Sequence, residues 1–250
     1  MKTTVIIPTY NRADKITYAI QSLARQRGDV SLDILVVNDG STDATASVLT
    51  GLSASVPELR VITQENQGVT AARNTGLSNL LEETEFVTFL DSDDISPAGR
   101  FAADLAEFEK RPEIEVTYGR MQLADSLDYE RFVPAEGSKL ATVIGIHLSS
   151  AIFRRSLVER IGLFDLDMEQ AEDTDYILRV FEANTLFTQT DTLCLYYFRH
   201  LDSLSRDVPT ARRSFALAIR KSILRRKARP EIVLSKPEFD LMDLKRTGLF

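Results

Sequence analysis

Three aspartates fall within four residues at Asp91-Ser92-Asp93-Asp94, directly after the apolar run 86–90 (FVTFL). Carboxylates this close repel one another, and a divalent cation is the usual relief. Asp91 and Asp93, two apart at a strand end, offer hard oxygen ligands. These suit Mg²⁺ or Mn²⁺ shared with a substrate's phosphates. The competing reading is a loop whose aspartates cap the helix expected from about Pro97. A second acidic pair, Glu172-Asp173, precedes a helical stretch with Tyr176, Ile177 and Val180 on its inner face. It either complements the positive end of that helix or supplies a general base. His200 follows the apolar run 193–198 and reads as a surface or cap residue, or as a contact to metal or phosphate. Cys194 is the sole cysteine; inside that run it reads as buried and inert.

Glycine-rich phosphate loops are missing: the chain has neither GxGxxG nor GxxxxGK[ST]. The GxSxG nucleophile elbow is missing too. A phosphate-bearing ligand would therefore need a metal to offset its charge.

These residues need a scaffold, and the first hundred positions alternate short apolar runs with helical patterns. Runs at 4–7, 32–37, 59–63 and 86–90 read as strands. Between them, helices are expected after Asn11 as a cap (Ile16, Ile20 and Leu23 on one face), after Ser41-Thr42-Asp43, and over 68–80. Such alternation predicts an α/β fold with a mostly parallel sheet covered on both faces, and ligands bound beyond the carboxyl ends of the strands. Past residue 112 a strand is expected at 114–118, an irregular stretch at 120–147, helices at 151–161 and 174–183, and strands at 186–190 and 193–198. This half reads as an acceptor region built onto the same sheet, giving halves 1–111 and 112–210.

The 250 residues are 44% hydrophobic and 27% charged, which excludes a disordered or fibrous chain. A net charge of −7 argues against nucleic acid as a partner. One cysteine permits no intramolecular disulfide and no cysteine-type zinc site. The start is too short for a secretory leader and no run is long enough to span a membrane, so a cytoplasmic location, peripheral to a membrane at most, is expected. Charge is uneven: 211–229 holds eight basic residues and no acidic one, leaving −15 on the remainder. Phe215, Ile219 and Ile223 recur four apart within it. One reading packs that stripe on the domain; the other attracts an anionic lipid or a phosphorylated acceptor to a basic helix and tail, 211–250.

The stretches VIIPTYNR (5–12), VVNDGSTD (36–43), NQGVTAARNTGL (66–77), FVTFLDSDD (86–94), IGLFD (161–165), AEDTDYILR (171–179) and YYFRHLDSLS (196–205) together resemble the family 2 glycosyltransferases. Their order and spacing match over about 3–206. The resemblance implies a GT-A fold and an inverting transfer of a sugar from a nucleoside-diphosphate donor, best matched by a UDP-sugar, to an acceptor hydroxyl. It implies a glycan, lipid-linked or protein-linked acceptor, in bacterial-type polysaccharide or glycoconjugate synthesis. By that likeness Pro8, Thr9, Tyr10, Asn11 and Arg12 line the nucleoside pocket, and Asp39 accepts a hydrogen bond from the base. Arg73 contacts the nucleotide, Asp91 with Ser92 faces the ribose, and Asp93 binds Mn²⁺ or Mg²⁺ with His200 completing the site. Asp173 is the general base, and Glu172 places acceptor or sugar. The stretch 165–170 lacks the glycine or aromatic residue that many relatives carry where the acceptor is met. His147 and Arg154-Arg155 either face the acceptor or are structural, and the structural reading is favoured for each. The rival readings are a protein of the same fold that binds a nucleotide sugar without turnover, and a metal-dependent phosphatase whose strand also ends in Asp-x-Asp.

Overall fold

The computed structural model describes residues 1–144, 147–198 and 208–234. β1 (Lys2–Thr9), β2 (Ser31–Asp39), β3 (Leu59–Gln64) and β4 (Thr84–Phe89) alternate with α1 (Ile16–Ala24), α2 (Thr45–Ser53) and α3 (Val69–Ser78). The strands pair in parallel in the order β3-β2-β1-β4. β1 and β2 are almost wholly buried because both faces of the sheet are covered. Val5, Ile7, Ile34 and Val36 pack on one face with α1 and with α4 (Arg100–Lys110), while Ile6 and Leu35 point to the other. Ile16, Ile20 and Leu23 of α1 have no exposed surface. Each such side chain contributes roughly 1.5–3 kcal/mol.

The second half continues the same sheet through β5 (Val116–Ala124), β8 (Leu140–Ile144), β9 (Ala151–Arg154) and β10 (Phe187–Phe198). The order is β10-β5-β9-β4-β1-β2-β3, with β8 paired to β5 beyond the reach of β9. Only β8 and β9 oppose the common direction. A short hairpin, β6 (Leu127–Asp128) and β7 (Val133–Pro134), lies apart from it. α5 (Arg155–Ile161) and α6 (Glu172–Glu182) cover the face opposite α1, and α7 (Val208–Ala228) lies against α6.

Several elements differ from the sequence reading. The stretch 151–161 is a strand followed by a helix, because Ala151, Ile152 and Phe153 fill the gap between β4 and β5. A short apolar run does not by itself distinguish a buried strand from a helix. The stretch expected to be irregular holds the rest of β5 and the edge strand β8. The two late strands are one, β10, whose register shifts around Asp191-Thr192. There Gly119 is required, since a Cβ would lie 2.3 Å from the Thr192 carbonyl oxygen.

α7 packs on an unexpected face. Thr210, Ser214, Ala218 and Ser222, spaced by four, are buried, whereas Phe215 and Ile223 are 54% and 40% exposed. The cause lies on the neighbouring elements. Asp175 and Glu182 of α6 are nearly fully buried; Arg179 of the same helix pairs with Asp175, and Arg225 of α7 bonds both carboxylates, at 2.8 and 2.6 Å. Lys221 reaches Asp165 at 2.5 Å. Small residues let the helix come close enough for these bonds, and unpaired buried carboxylates cost more than an exposed Phe gains by burial. No helix among the described residues is long and apolar enough to cross a membrane.

Candidate active site

The loops that follow β1, β2, β3 and β4 meet beyond the carboxyl ends of the strands. Pro8 ends its ladder without loss: Leu90 N–H donates to Ile6, so Pro8, two residues on, faces β4 where pairing has already stopped. Thr9 is buried and its hydroxyl has no hydrogen-bond partner, while Tyr10 is 44% exposed at the strand mouth.

Asn11 does not cap α1, which begins at Ile16 behind Lys15. It adopts φ +51° and uses its side-chain oxygen to accept the N–H groups of Thr42 (2.8 Å) and Asp43 (3.3 Å). Its own N–H donates to the Ser41 hydroxyl, and Arg12 N–H donates to that of Thr45. The first two loops are thus stitched together, and a left-handed Asn is well suited to that place.

Asp39, the last residue of β2, is 3% exposed and accepts three bonds from the end of β3 and the loop after it. They come from Gln64 Nε2 (2.7 Å), Gln67 N–H (3.0 Å) and Gly68 N–H (2.8 Å). A carboxylate offers about four acceptor positions, which leaves one for a ligand. Gly40 follows at φ +69°, where a Cβ would lie 2.7 Å from Asn66 N, so no other residue fits the turn.

Arg73 joins the two acidic clusters. Buried at 5% exposure, it bonds Asp91 Oδ1 at 3.0 Å through Nη2 and Glu172 Oε1 through Nη1. Its guanidinium also lies 5.9 Å from the Phe164 ring centre. Burial opposes its charge, but Asp91, Glu172 and Asp173 outweigh burial and raise its pKa. Burial also raises the Glu172 carboxyl, with Asp173 adding to the shift and Arg73 working against it.

Glu172 and Asp173 open α6 behind Ala171, a non-glycine residue at φ +58°. That conformation costs about 1–2 kcal/mol and turns the chain sharply into the helix. Asp173 is half-buried, and one of its oxygens accepts the Thr174 N–H at 2.6 Å.

The acidic loop divides by direction. Asp91 and Asp93 are partly exposed, and Ser92 and Asp94 are buried. Asp94 accepts Phe198 N–H at 2.9 Å, and Ile95 exchanges backbone bonds with Tyr196, so β10 anchors the loop. Burial, then the charges of Asp93 and Asp91, hold the Asp94 carboxyl well above the usual range. Asp94 is therefore a buried support for the loop, and Asp91 and Asp93 are the carboxylates that face solvent.

Asp93 stands 3.6 Å from Arg12 Nε. No group of three His, Cys, Asp or Glu side chains is poised to hold a metal among the described residues. One or two open carboxylates nevertheless fit Mg²⁺ or Mn²⁺, which keep several ligand positions for substrate phosphates. His200, expected to complete the site, lies outside the described residues.

One neighbour has a place that the sequence reading did not give it. His147, read as structural or as facing the acceptor, brings Nε2 to within 3.9 Å of Asp91 Oδ2 and sets its ring edge-on to Tyr197 at 5.5 Å. No local signal marked it, because β8 and β9 had not been recognised as the strands that carry it there. Arg154 and Arg155 do have structural roles, binding the carbonyls of Ile114 and Pro112, and of Leu81 and Glu82.

The chain is similar to known proteins. The family model described as glycosyl transferase family 2 matches residues 4–162. Glycosyltransferase GlyA of Streptococcus pneumoniae is 43% identical over 93 residues, covering 37% of the chain and 13% of that protein. Chondroitin synthase of Pasteurella multocida is 26% identical over 98% of the chain and 25% of its own length. The chain spans 13% to 36% of the length of the first curated relatives it matches. S. aureus TarS 1-349, solved in complex with UDP-GlcNAc, superposes with a TM-score of 0.67 at 24% identity, over 88% of the chain and 66% of TarS 1-349. Mannosyltransferase PcManGT of Pyrobaculum calidifontis, solved with GDP-Man and Mn²⁺, gives 0.68 at 20% identity, over 88% and 64%. These likenesses show the GT-A fold. With the family model covering most of the chain, they leave one conclusion: the protein belongs to glycosyl transferase family 2.

Proposed function

We propose that this chain transfers a sugar from a nucleoside-diphosphate donor, a UDP-sugar in the first instance, to an acceptor hydroxyl with inversion at the anomeric carbon. The observation that carries this reading is the bridge Asp91–Arg73–Glu172, which ties the acidic loop after β4 to the acidic pair opening α6. Thr9, Tyr10, Asn11, Arg12 and Asp39 form the nucleoside side, with Tyr10 as an exposed aromatic face and Asp39 keeping one acceptor position. Asp91 with Ser92 faces the ribose. Asp93, together with His200, would hold Mn²⁺ or Mg²⁺, which supplies positive charge for the leaving diphosphate when bound.

A sugar hydroxyl is a weak nucleophile. Asp173 takes its proton as it attacks from the face opposite the leaving group, and Glu172, held by Arg73, places acceptor or sugar. General-base help of this kind is typically worth about 10²–10⁴ in rate. The acceptor is a glycan, or a lipid-linked or protein-linked group, in bacterial polysaccharide or glycoconjugate assembly. Support comes from neighbours solved with UDP-GlcNAc and with GDP-Man and Mn²⁺.

α7 adds a location. Its outward face interleaves exposed Phe215, Ile223 and Leu224 with Arg212, Arg213, Arg220 and Lys227. That pattern suits the anionic inner face of a membrane, with the catalytic unit on the cytoplasmic side.

Asp173→Asn tests the chemistry. Turnover of a UDP-sugar should fall by about 10²-fold or more while donor affinity stays within about twofold. Unchanged turnover would remove Asp173 as the base. Donor binding without turnover in the wild type, across acceptors, would favour the non-catalytic reading.

A further inference from the structure

His147 has two nitrogens with separate duties. Nδ1 accepts the Ser149 backbone N–H at 3.3 Å, which leaves the ring proton on Nε2. Nε2 lies 3.9 Å from Asp91 Oδ2. That is too far for a direct hydrogen bond. Oδ1 of the same carboxylate is already held by Arg73 at 3.0 Å, so Oδ2 is the oxygen turned to His147. The imidazole is fixed on a second side by its edge-on contact with Tyr197. Both groups retain contact with solvent, the His147 side chain at 17% and Asp91 at 28% exposure.

A fixed donor and a fixed acceptor 3.9 Å apart form a notch for a single hydroxyl. Its oxygen, about 2.8 Å from each, can accept from Nε2–H and donate to Oδ2 at once. We propose that His147 is a specificity residue that reads one hydroxyl of the nucleotide-sugar donor together with Asp91. The hydroxyl belongs to the ribose or to the transferred sugar. An analogue lacking it leaves both groups facing an unfilled gap, which is how a polar notch rejects a deoxy ligand. This inference rests on the donor-site reading above.

The test is calorimetric titration in Mn²⁺ of wild type, His147→Phe and His147→Gln, with melting curves to verify folding. The probes are whichever of UDP or GDP the wild type binds, its 2′- and 3′-deoxyribose analogues, and the matching UDP-GlcNAc or GDP-mannose. Phe keeps the ring contact with Tyr197 and removes Nε2–H, whereas Gln can return an N–H to that place.

If the hydroxyl is on the ribose, His147→Phe weakens the diphosphate about three- to tenfold, Gln restores most of it, and one deoxy analogue is indifferent to the substitution. If it is on the sugar, only the nucleotide sugar weakens by that factor. Wild-type affinity of His147→Phe for every probe would overturn the proposal. So would an equal loss in the Phe and Gln variants, which would mean that His147 only packs. A wild type that binds neither UDP nor GDP would fail the donor-site reading itself, and this inference with it.

Discussion

Arg73 is the residue on which the site's electrostatics turn. It is one cation serving two carboxylates, and Glu172 beside it is 7% exposed. Removing one partner of a buried pair typically costs about 3–5 kcal/mol, because the other charge stays behind without compensation. Arg73→Met should therefore destabilise the fold by about 3 kcal/mol, roughly 6–12 °C in a chain of this size. Adding Glu172→Gln should recover part of the loss, since the stranded charge is then gone. A melting temperature within a degree of wild type for Arg73→Met would show that the bridge contributes no stability. The buried support from Asp94 and the turned backbone at Ala171 belong to the same design. Both spend local stability to present Asp91, Asp93 and Asp173 at fixed places.

At the scale of elements, β1 to β4 and their helices were legible because β1, β2 and β4 are short apolar runs closed by Pro8, Asn38 and Asp91, and β3 is a shorter mixed run before the turn at Asn66-Gln67-Gly68. The residues after those runs became the site because ligands collect beyond the strand ends of such sheets. What was not legible depends on contacts far apart in sequence. β9 is a strand only because β4 and β5 flank it, and His147 reaches Asp91 only because β9 is a strand. The face by which α7 packs was not legible for a related reason. An apolar stripe usually packs inward, but the buried carboxylates of α6 required Arg225 and brought the small-residue face in. The apolar stripe thereby became available to a surface. The chain should bind vesicles containing anionic lipid, more weakly as salt rises, and Phe215→Ser with Arg220→Ser should reduce that binding. Binding indifferent to both lipid charge and salt, or unchanged in the double variant, would contradict a membrane role for α7.

The molecule as a whole is one sheet in two parts: β3-β2-β1-β4 present the loops proposed to take a nucleotide, and the strands added beyond β4 bring His147 and α6 up to them. Family membership and fold fix this framework. The central claim is that the framework holds a nucleoside diphosphate through Asp93 and a divalent ion. The most direct measurement is calorimetric titration of UDP into the chain with and without Mn²⁺, repeated on Asp93→Ala. The account predicts binding that needs Mn²⁺ and is lost in the variant. Binding that is indifferent to both the metal and Asp93, or the absence of binding by UDP and GDP alike, would contradict it.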